Sequence, residues 1–151
     1  EHDQTIRVNV NGVLAVLHAA FPFLKAARGA RVVNMSSASA VFGVPEFASY
    51  SASKFFVRGL TEALAVELAG SGVTVTALCP GATVTEFEAA ADLEGAGLFE
   101  RGAATSHDVA VTGYEAMLRG QTVKVHGALN ALVPGLMRVT PRGVRRGWRR
   151  R

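Results

Sequence analysis

"RVVNMSSASAVFGVPEFASYSASK", residues 31–54, is the stretch whose reading decides the fold. Val32 and Val33 open a short, largely buried strand (31–37) that runs out into the small polar residues Ser36 and Ser37. Residues 38–49 read as a loop, marked by Gly43 and Pro45. From about Ser49 the apolar residues take a helical period and keep it to Ala69, where Gly70-Ser71-Gly72 closes the helix. That helix is apolar over more than one stripe (Phe55, Val57, Leu60, Ala63, Leu64, Val66, Leu68). It is therefore expected to be buried on two sides, by its own sheet and by something else.

The flanks repeat this alternation. Upstream, Ile6, Val10, Val13, Leu14, Leu17, Phe21 and Leu24 recur at helical spacing between Thr5 and Ala27, with Pro22 placed to kink or shorten the helix and Gly29 to end it. Downstream, "VTVTALCP" (73–80) is a β-branched strand bounded by Gly72 and Pro80. Residues 81–106 read as a long loop with short helical turns. Residues 106–120 read as a helix capped by Ser106 with Asp108 in its first turn, and 122–127 as a last strand. Helix and strand alternate three times, which predicts an α/β fold with a parallel sheet and right-handed crossovers. No internal repeat and no separate second domain is visible.

Composition narrows the class. With 49% hydrophobic and 19% charged residues the chain is core-forming rather than disordered. No apolar run reaches the ~18 residues expected of a membrane span. The one cysteine, Cys79, has no internal disulfide partner, so a reducing, cytoplasmic compartment is expected. The sequence opens on Glu1, so a signal peptide is not legible in it. Residues 138–151 hold seven arginines and no acid, against nine basic and twelve acidic residues elsewhere, so the pI near 9.8 belongs to this tail. An arginine-rich tail (128–151) reads first as a solvated terminus. Leu129, Leu132, Val133, Leu136 and Met137 ahead of the arginines are compatible with contact at an anionic membrane surface. Nucleic acid is disfavoured, because Trp148 alone offers no stacking platform.

Chemistry is expected beyond the carboxyl ends of parallel strands. The strand at 31–37 delivers Ser36 and Ser37 there, the strand at 73–80 delivers Pro80 and Gly81, and the helix from Ser49 begins nearby with Tyr50 and Lys54 in its first turns. One helical turn separates these two, so both leave the same face. A tyrosine of ordinary pKa, about 10, is a slow acid or base at neutral pH, and an ammonium beside it is expected to lower that value. Ser37 is placed to hydrogen-bond a substrate oxygen on which charge develops. Taken alone, a tyrosine and a lysine four apart are an ordinary surface contact of helices. The ordered set of "NMSS", Tyr50, Lys54 and "CPG" is not.

That set resembles the short-chain dehydrogenase/reductase family, from about Ile6 to Gly127. "VNVNGVL" looks like the family segment that holds the asparagine of its Asn-Ser-Tyr-Lys tetrad, with Asn9 at the matching position and Asn11 beside it. "RVVNMSS" resembles the strand whose second serine, here Ser37, is catalytic, and "YSASK" matches the YxxxK motif. "CPGATVTEF" resembles the segment that meets the nicotinamide end of the cofactor, through Pro80, Gly81, Thr83 and Thr85. The resemblance implies a Rossmann-like, doubly wound parallel sheet and an NAD- or NADP-dependent interconversion of a carbonyl and a secondary alcohol. Under it Tyr50 is the general acid or base. Lys54 holds the nicotinamide ribose and lowers the tyrosine pKa, Ser37 orients the substrate, and Asn9 holds a water in a proton relay. It also implies a homo-oligomer, dimer or tetramer, through the 49–69 helix.

The family's Gly-rich TGxxxGxG turn, where a helix N-terminus takes the pyrophosphate, is absent from these residues, as is its "NNAG" segment. Gly95-x-Gly97 follows no strand and reads as part of a Gly-rich substrate lid. Residues 1–127 therefore resemble the C-terminal portion of such a domain, with an exposed strand edge beside residues 31–37 and a tendency to associate. Two alternative classes are compatible with these residues: an inactive fragment acting through dimerisation, and a tail module for nucleic acid or lipid. No GxSxG, no motif pairing a histidine with a serine and no metal-ligand spacing is present, so hydrolase and metal chemistry are disfavoured and no metal site is assigned. The specificity loops at 38–49 and 86–106 carry Val41, Phe42, Val44, Phe47, Phe87, Leu93, Leu98 and Phe99, which suggests a small apolar carbonyl or alcohol.

Overall fold

A computed structural model describes residues 2–41, 43–44, 46–84, 103–128 and 130–132. In chain order its elements are α1 (His2–Ala26), β1 (Arg31–Met35), α2 (Ala48–Glu67), β2 (Thr74–Cys79), the two-residue strands β3 (Thr83–Val84) and β4 (Ala104–Thr105), α3 (Ser106–Leu118) and β5 (Val123–Val125). Thr85, the loop residues Phe42, Phe87, Leu93, Leu98 and Phe99, and the arginine tail lie outside the described residues.

The β-branched run at 74–79 forms the centre of the sheet because it can be covered on both faces, and five of its six residues are buried. β1 pairs with β2 in parallel, from Arg31 opposite Thr74 to Met35 opposite Leu78. β5 pairs in parallel on the other side, from Ala77 opposite Val123 to Cys79 opposite Val125. The order β1-β2-β5 leaves the far edge of β1 without a partner strand among the described residues.

Alternation along β2 assigns the layers. Val73 and Val75 cluster with Leu68, Phe21, Leu24 and Leu64, which places α1 and α2 on one face. Leu78 faces the other way, onto α3, where a Cβ added to Gly113 would come within 2.5 Å of its Cδ2. The result is the doubly wound α/β sheet expected from the sequence. A buried polar chain ties β1 to α2: Asn34 Nδ2 donates to Thr61 Oγ1 (2.9 Å), which donates to the Val57 carbonyl (2.7 Å). Both side chains are thereby satisfied in a region where an orphan would be costly.

Several local expectations are corrected. α1 continues through Pro22 to Ala26 and departs from α geometry instead at Arg7–Gly12, which is wound as a π-helix. A proline removes one backbone donor, and Phe21 and Leu24, packed on the core, hold the helix across that loss. Gly29 (φ 69°) and Gly120 (φ 65°) do end α1 and α3 in the left-handed conformation. The cap of α3 is Thr105 rather than Ser106: its Oγ1 accepts from Asp108 N (3.1 Å) and donates to Asp108 Oδ2 (2.7 Å). The segment read as loop contains β3 and β4, which pair in parallel, and residues 38–40 form one 3-10 turn.

Two surfaces are more open than the sequence predicts. α2 buries Val57 and Thr61 completely but leaves Phe55, Phe56 and Val66 exposed, so among the described residues it is covered on one side only. The expectation that no apolar stretch has the length of a membrane span is corrected by α1, which is long and apolar enough to cross a membrane, with a mean hydropathy of 1.3 over 18 residues. Its hydrogen bond to α2 and its packing on the Val75 cluster assign it to the helical layer of the sheet.

Candidate active site at the carboxyl edge of the sheet

Three segments leave the carboxyl ends of the strands and meet. The chain after β1 stays in register with the end of β2: Ser36 N donates to the Leu78 carbonyl (2.8 Å) and Ala38 N to the Pro80 carbonyl (2.7 Å). Ser37 is therefore held beside Pro80 and Gly81 by backbone bonds. Its Oγ accepts from Ser39 N (3.1 Å), which fixes the side chain and leaves its own proton available. That hydroxyl hydrogen-bonds the hydroxyl of Tyr50.

α2 brings Tyr50 and Lys54 to the same place. Ser36 Oγ donates to the Lys54 carbonyl (2.9 Å), pinning the first turns of α2 to the end of β1. The Lys54 ammonium lies 5.6 Å from the centroid of the Tyr50 ring and donates to the Met35 carbonyl (3.1 Å). An ammonium carries three donors, and among the described residues only the Met35 carbonyl is seen to take one from Lys54. The expectation that Lys54 makes the Tyr50 phenol unusually acidic is corrected here. Burial raises the Tyr50 pKa, and the hydrogen bond from Ser37 offsets this only in part. The same burial lowers the Lys54 pKa. Both groups are half-buried, and desolvation penalises the charged form of each. At neutral pH Tyr50 is therefore a protonated phenol.

Asn9 lies in the π-wound segment of α1 and reaches α2: its Nδ2 donates to Ser53 Oγ (3.1 Å), and Ser53 Oγ donates to the Tyr50 carbonyl (2.7 Å). A π turn widens the helix by one residue and re-aims a side chain, and such turns recur at functional sites. Ser53 is the connector that sequence reasoning missed. Its only signal was a small polar residue one helical turn after Tyr50 on a face otherwise apolar. Thr83 is placed near the turn but spends its proton on the Gly81 carbonyl (3.0 Å). The structure thus brings together Ser37, Tyr50, Lys54, Pro80 and Gly81, joins Asn9 through Ser53, and turns the Thr83 hydroxyl back on its own loop. Thr85 lies outside the described residues. A cleft lined by Leu68, Gly70, Val73 and Thr122 opens at the opposite, amino-terminal end of the strands and contains none of these groups.

The residues fit the nicotinamide end of a dinucleotide: an ammonium beside a phenol, next to a glycine turn held against Ser37. The family model described as short chain dehydrogenase matches residues 1–94. The chain belongs to the short-chain dehydrogenase family. A diacetyl reductase of Staphylococcus aureus that forms (S)-acetoin is 43% identical over 79 residues, 52% of this chain and 31% of that protein. A short-chain dehydrogenase/reductase from Burkholderia phymatum, solved in complex with NAD, is 29% identical with a TM-score of 0.70, covering 83% of this chain and 53% of that one. A short chain dehydrogenase from Burkholderia cenocepacia J2315, solved with NADP, superposes with a TM-score of 0.80 over 95% of this chain and 57% of that one. At 24% identity it shows the fold. The chain spans about a third of the length of the curated relatives it matches.

Proposed function

We propose that this chain carries the catalytic portion of an NAD- or NADP-dependent oxidoreductase that interconverts a carbonyl and a secondary alcohol. The observation that carries the reading is the hydrogen bond between Ser37 and Tyr50 at the carboxyl edge of the sheet, with the Lys54 ammonium on the same side. A bound nicotinamide supplies or accepts the hydride. In reduction, Tyr50 gives its phenolic proton to the carbonyl oxygen as negative charge develops there. Ser37 hydrogen-bonds the same oxygen and so favours the charged form in the transition state. Lys54 would hold the ribose hydroxyls of a bound cofactor with donors not spent on the Met35 carbonyl, and would offset the charge left on Tyr50. Asn9 and Ser53 fix the turn of α2 that carries Tyr50 and begin a path along which its proton is replaced. In oxidation the same groups run in reverse, with Tyr50 as the base.

The raised pKa of Tyr50 by itself slows proton transfer at neutral pH, so the reading rests on the placement of Ser37, Tyr50 and Lys54 and not on this shift. Thr83 and Thr85 are proposed as further contacts of the cofactor, through backbone for the first. A small apolar ketone or alcohol is the proposed substrate class, in keeping with the apolar loops and with the diacetyl reductase among the relatives. A homo-oligomer built on α2 is proposed from the exposed Phe55, Phe56 and Val66. The buried, unpaired thiol of Cys79 supports a cytoplasmic setting. The test is a fluorescence titration of the full-length protein with NADH and NADPH, followed by diacetyl-dependent oxidation of whichever binds. Binding of one of them with turnover is expected; absence of binding by both rejects the reading.

A further inference from the structure

Beyond β5 the chain folds back onto the site. His126 N donates to the Cys79 carbonyl (3.0 Å), so the end of β5 is tied to the end of β2 one residue before Pro80. From α3, Thr112 Oγ1 shares a 2.9 Å hydrogen bond with His126 Nδ1, which fixes the ring. Asn130 Nδ2 then reaches back to the His126 carbonyl (3.0 Å), while Ala131 N bonds the Gly127 carbonyl (3.0 Å). This seats the Asn130 amide between two glycines. A Cβ on Gly81 would come within 2.9 Å of Asn130 Cγ and closer still to Nδ2, and a Cβ on Gly127 would stand 3.1 Å from Nδ2. Gly127 also needs its left-handed φ of 86°, whereas Gly81 does not adopt that conformation. What Gly81 requires is the space that the Asn130 amide fills.

We infer that Asn130 is a positioning residue for the Pro80–Gly81 turn. The turn is held on one side by the bond from Ala38 N to the Pro80 carbonyl and on the other by the Asn130 amide packed against the Gly81 Cα. A loop bounded on both sides keeps its backbone at a fixed height above the sheet. Displacements of about an ångström at such a place can cost roughly a hundredfold in rate or binding. The inference rests on the reading of this turn as the contact for the nicotinamide end of the cofactor. It adds a residue, some fifty positions downstream, that sets where the contact stands.

The experiment uses the full-length protein with Asn130→Ala, Asn130→Asp, Gly81→Ala and the pair Gly81→Ala with Asn130→Ala. Asn130→Ala is expected to weaken NAD(P)H binding roughly ten- to a hundredfold, with most of the loss in kcat/KM falling on the cofactor KM. Asn130→Asp keeps the volume but loses the donor, and should weaken binding less than Asn130→Ala. Gly81→Ala should be the worst single change, and Asn130→Ala should relieve it, because the added methyl then occupies the vacated space. Hydrogen–deuterium exchange over residues 79–84 should rise in Asn130→Ala while the thermal midpoint barely moves. An unchanged cofactor KM and exchange rate in Asn130→Ala, or a Gly81→Ala defect that persists in the pair, would overturn the inference. If the wild type binds neither NADH nor NADPH, the oxidoreductase reading fails by itself, and the exchange over 79–84 still decides the role of Asn130.

Discussion

Tyr50 stands under two opposed influences. Partial burial favours the neutral phenol, and the Ser37 hydroxyl favours the phenolate; burial is the larger. The sequence places Lys54 on the same helix face as Tyr50, yet spacing says nothing about how much water each group loses, and that loss outweighs the ammonium. The sign of the resulting pH dependence can be worked out. A phenol whose folded pKa lies above about 10 binds its proton more tightly folded than unfolded, so its contribution to stability is complete below pH 10 and is lost as pH rises beyond it. Lys54 acts oppositely: its lowered pKa makes stability rise with pH between that value and about 10.5. In urea titrations from pH 8 to 11, Tyr50→Phe is expected to reduce the alkaline loss above pH 10, the buried Cys79 thiol, whose pKa burial also raises, supplying the loss that remains. An identical alkaline limb in the variant would show that Tyr50 is not the group responsible.

At the scale of elements, the alternation of β-branched and helical segments was enough to read β1, α2, β2, α3 and β5, because each has a strong period and glycines at its ends. What escaped were features set by contacts between segments. The two-residue strands β3 and β4 carry no period, and the π winding of α1 over Arg7–Gly12 has no local sequence mark. The convergence of Ser37, Tyr50 and Gly81 was legible from strand ends, whereas Ser53 and Asn130 act across packed elements and were not. The same logic yields a stability prediction. Thr61→Val removes the acceptor of Asn34 and leaves its buried amide unpaired, so it should cost about 1–3 kcal/mol in chemical denaturation. Replacing Asn34 by leucine in that background should recover part of the loss; equal costs for the single and double variants would contradict the role of this pair. Gly113→Ala should cost about 1–3 kcal/mol by driving a methyl into Leu78, read from the same denaturation curves.

For the molecule as a whole, the open surfaces dominate its solution behaviour. β1 has a free parallel edge among the described residues, and Val8, Val16 and Phe23 on α1 are exposed at 62%, 69% and 76%. Unpaired edges and apolar faces of this kind template association. The purified 151-residue chain is therefore expected to be oligomeric or aggregating in light scattering, and Val16→Glu with Phe23→Lys to reduce that association. A monodisperse wild-type monomer that melts cooperatively would count against this. The central claim, that the Ser37-bonded phenol of Tyr50 passes a proton to a carbonyl oxygen receiving a hydride, is tested most directly in the full-length protein. The measurement is kcat for carbonyl reduction in Tyr50→Phe beside its NAD(P)H dissociation constant. A fall in kcat of roughly 10²- to 10⁴-fold with cofactor affinity nearly unchanged is predicted; turnover at the wild-type rate would contradict it.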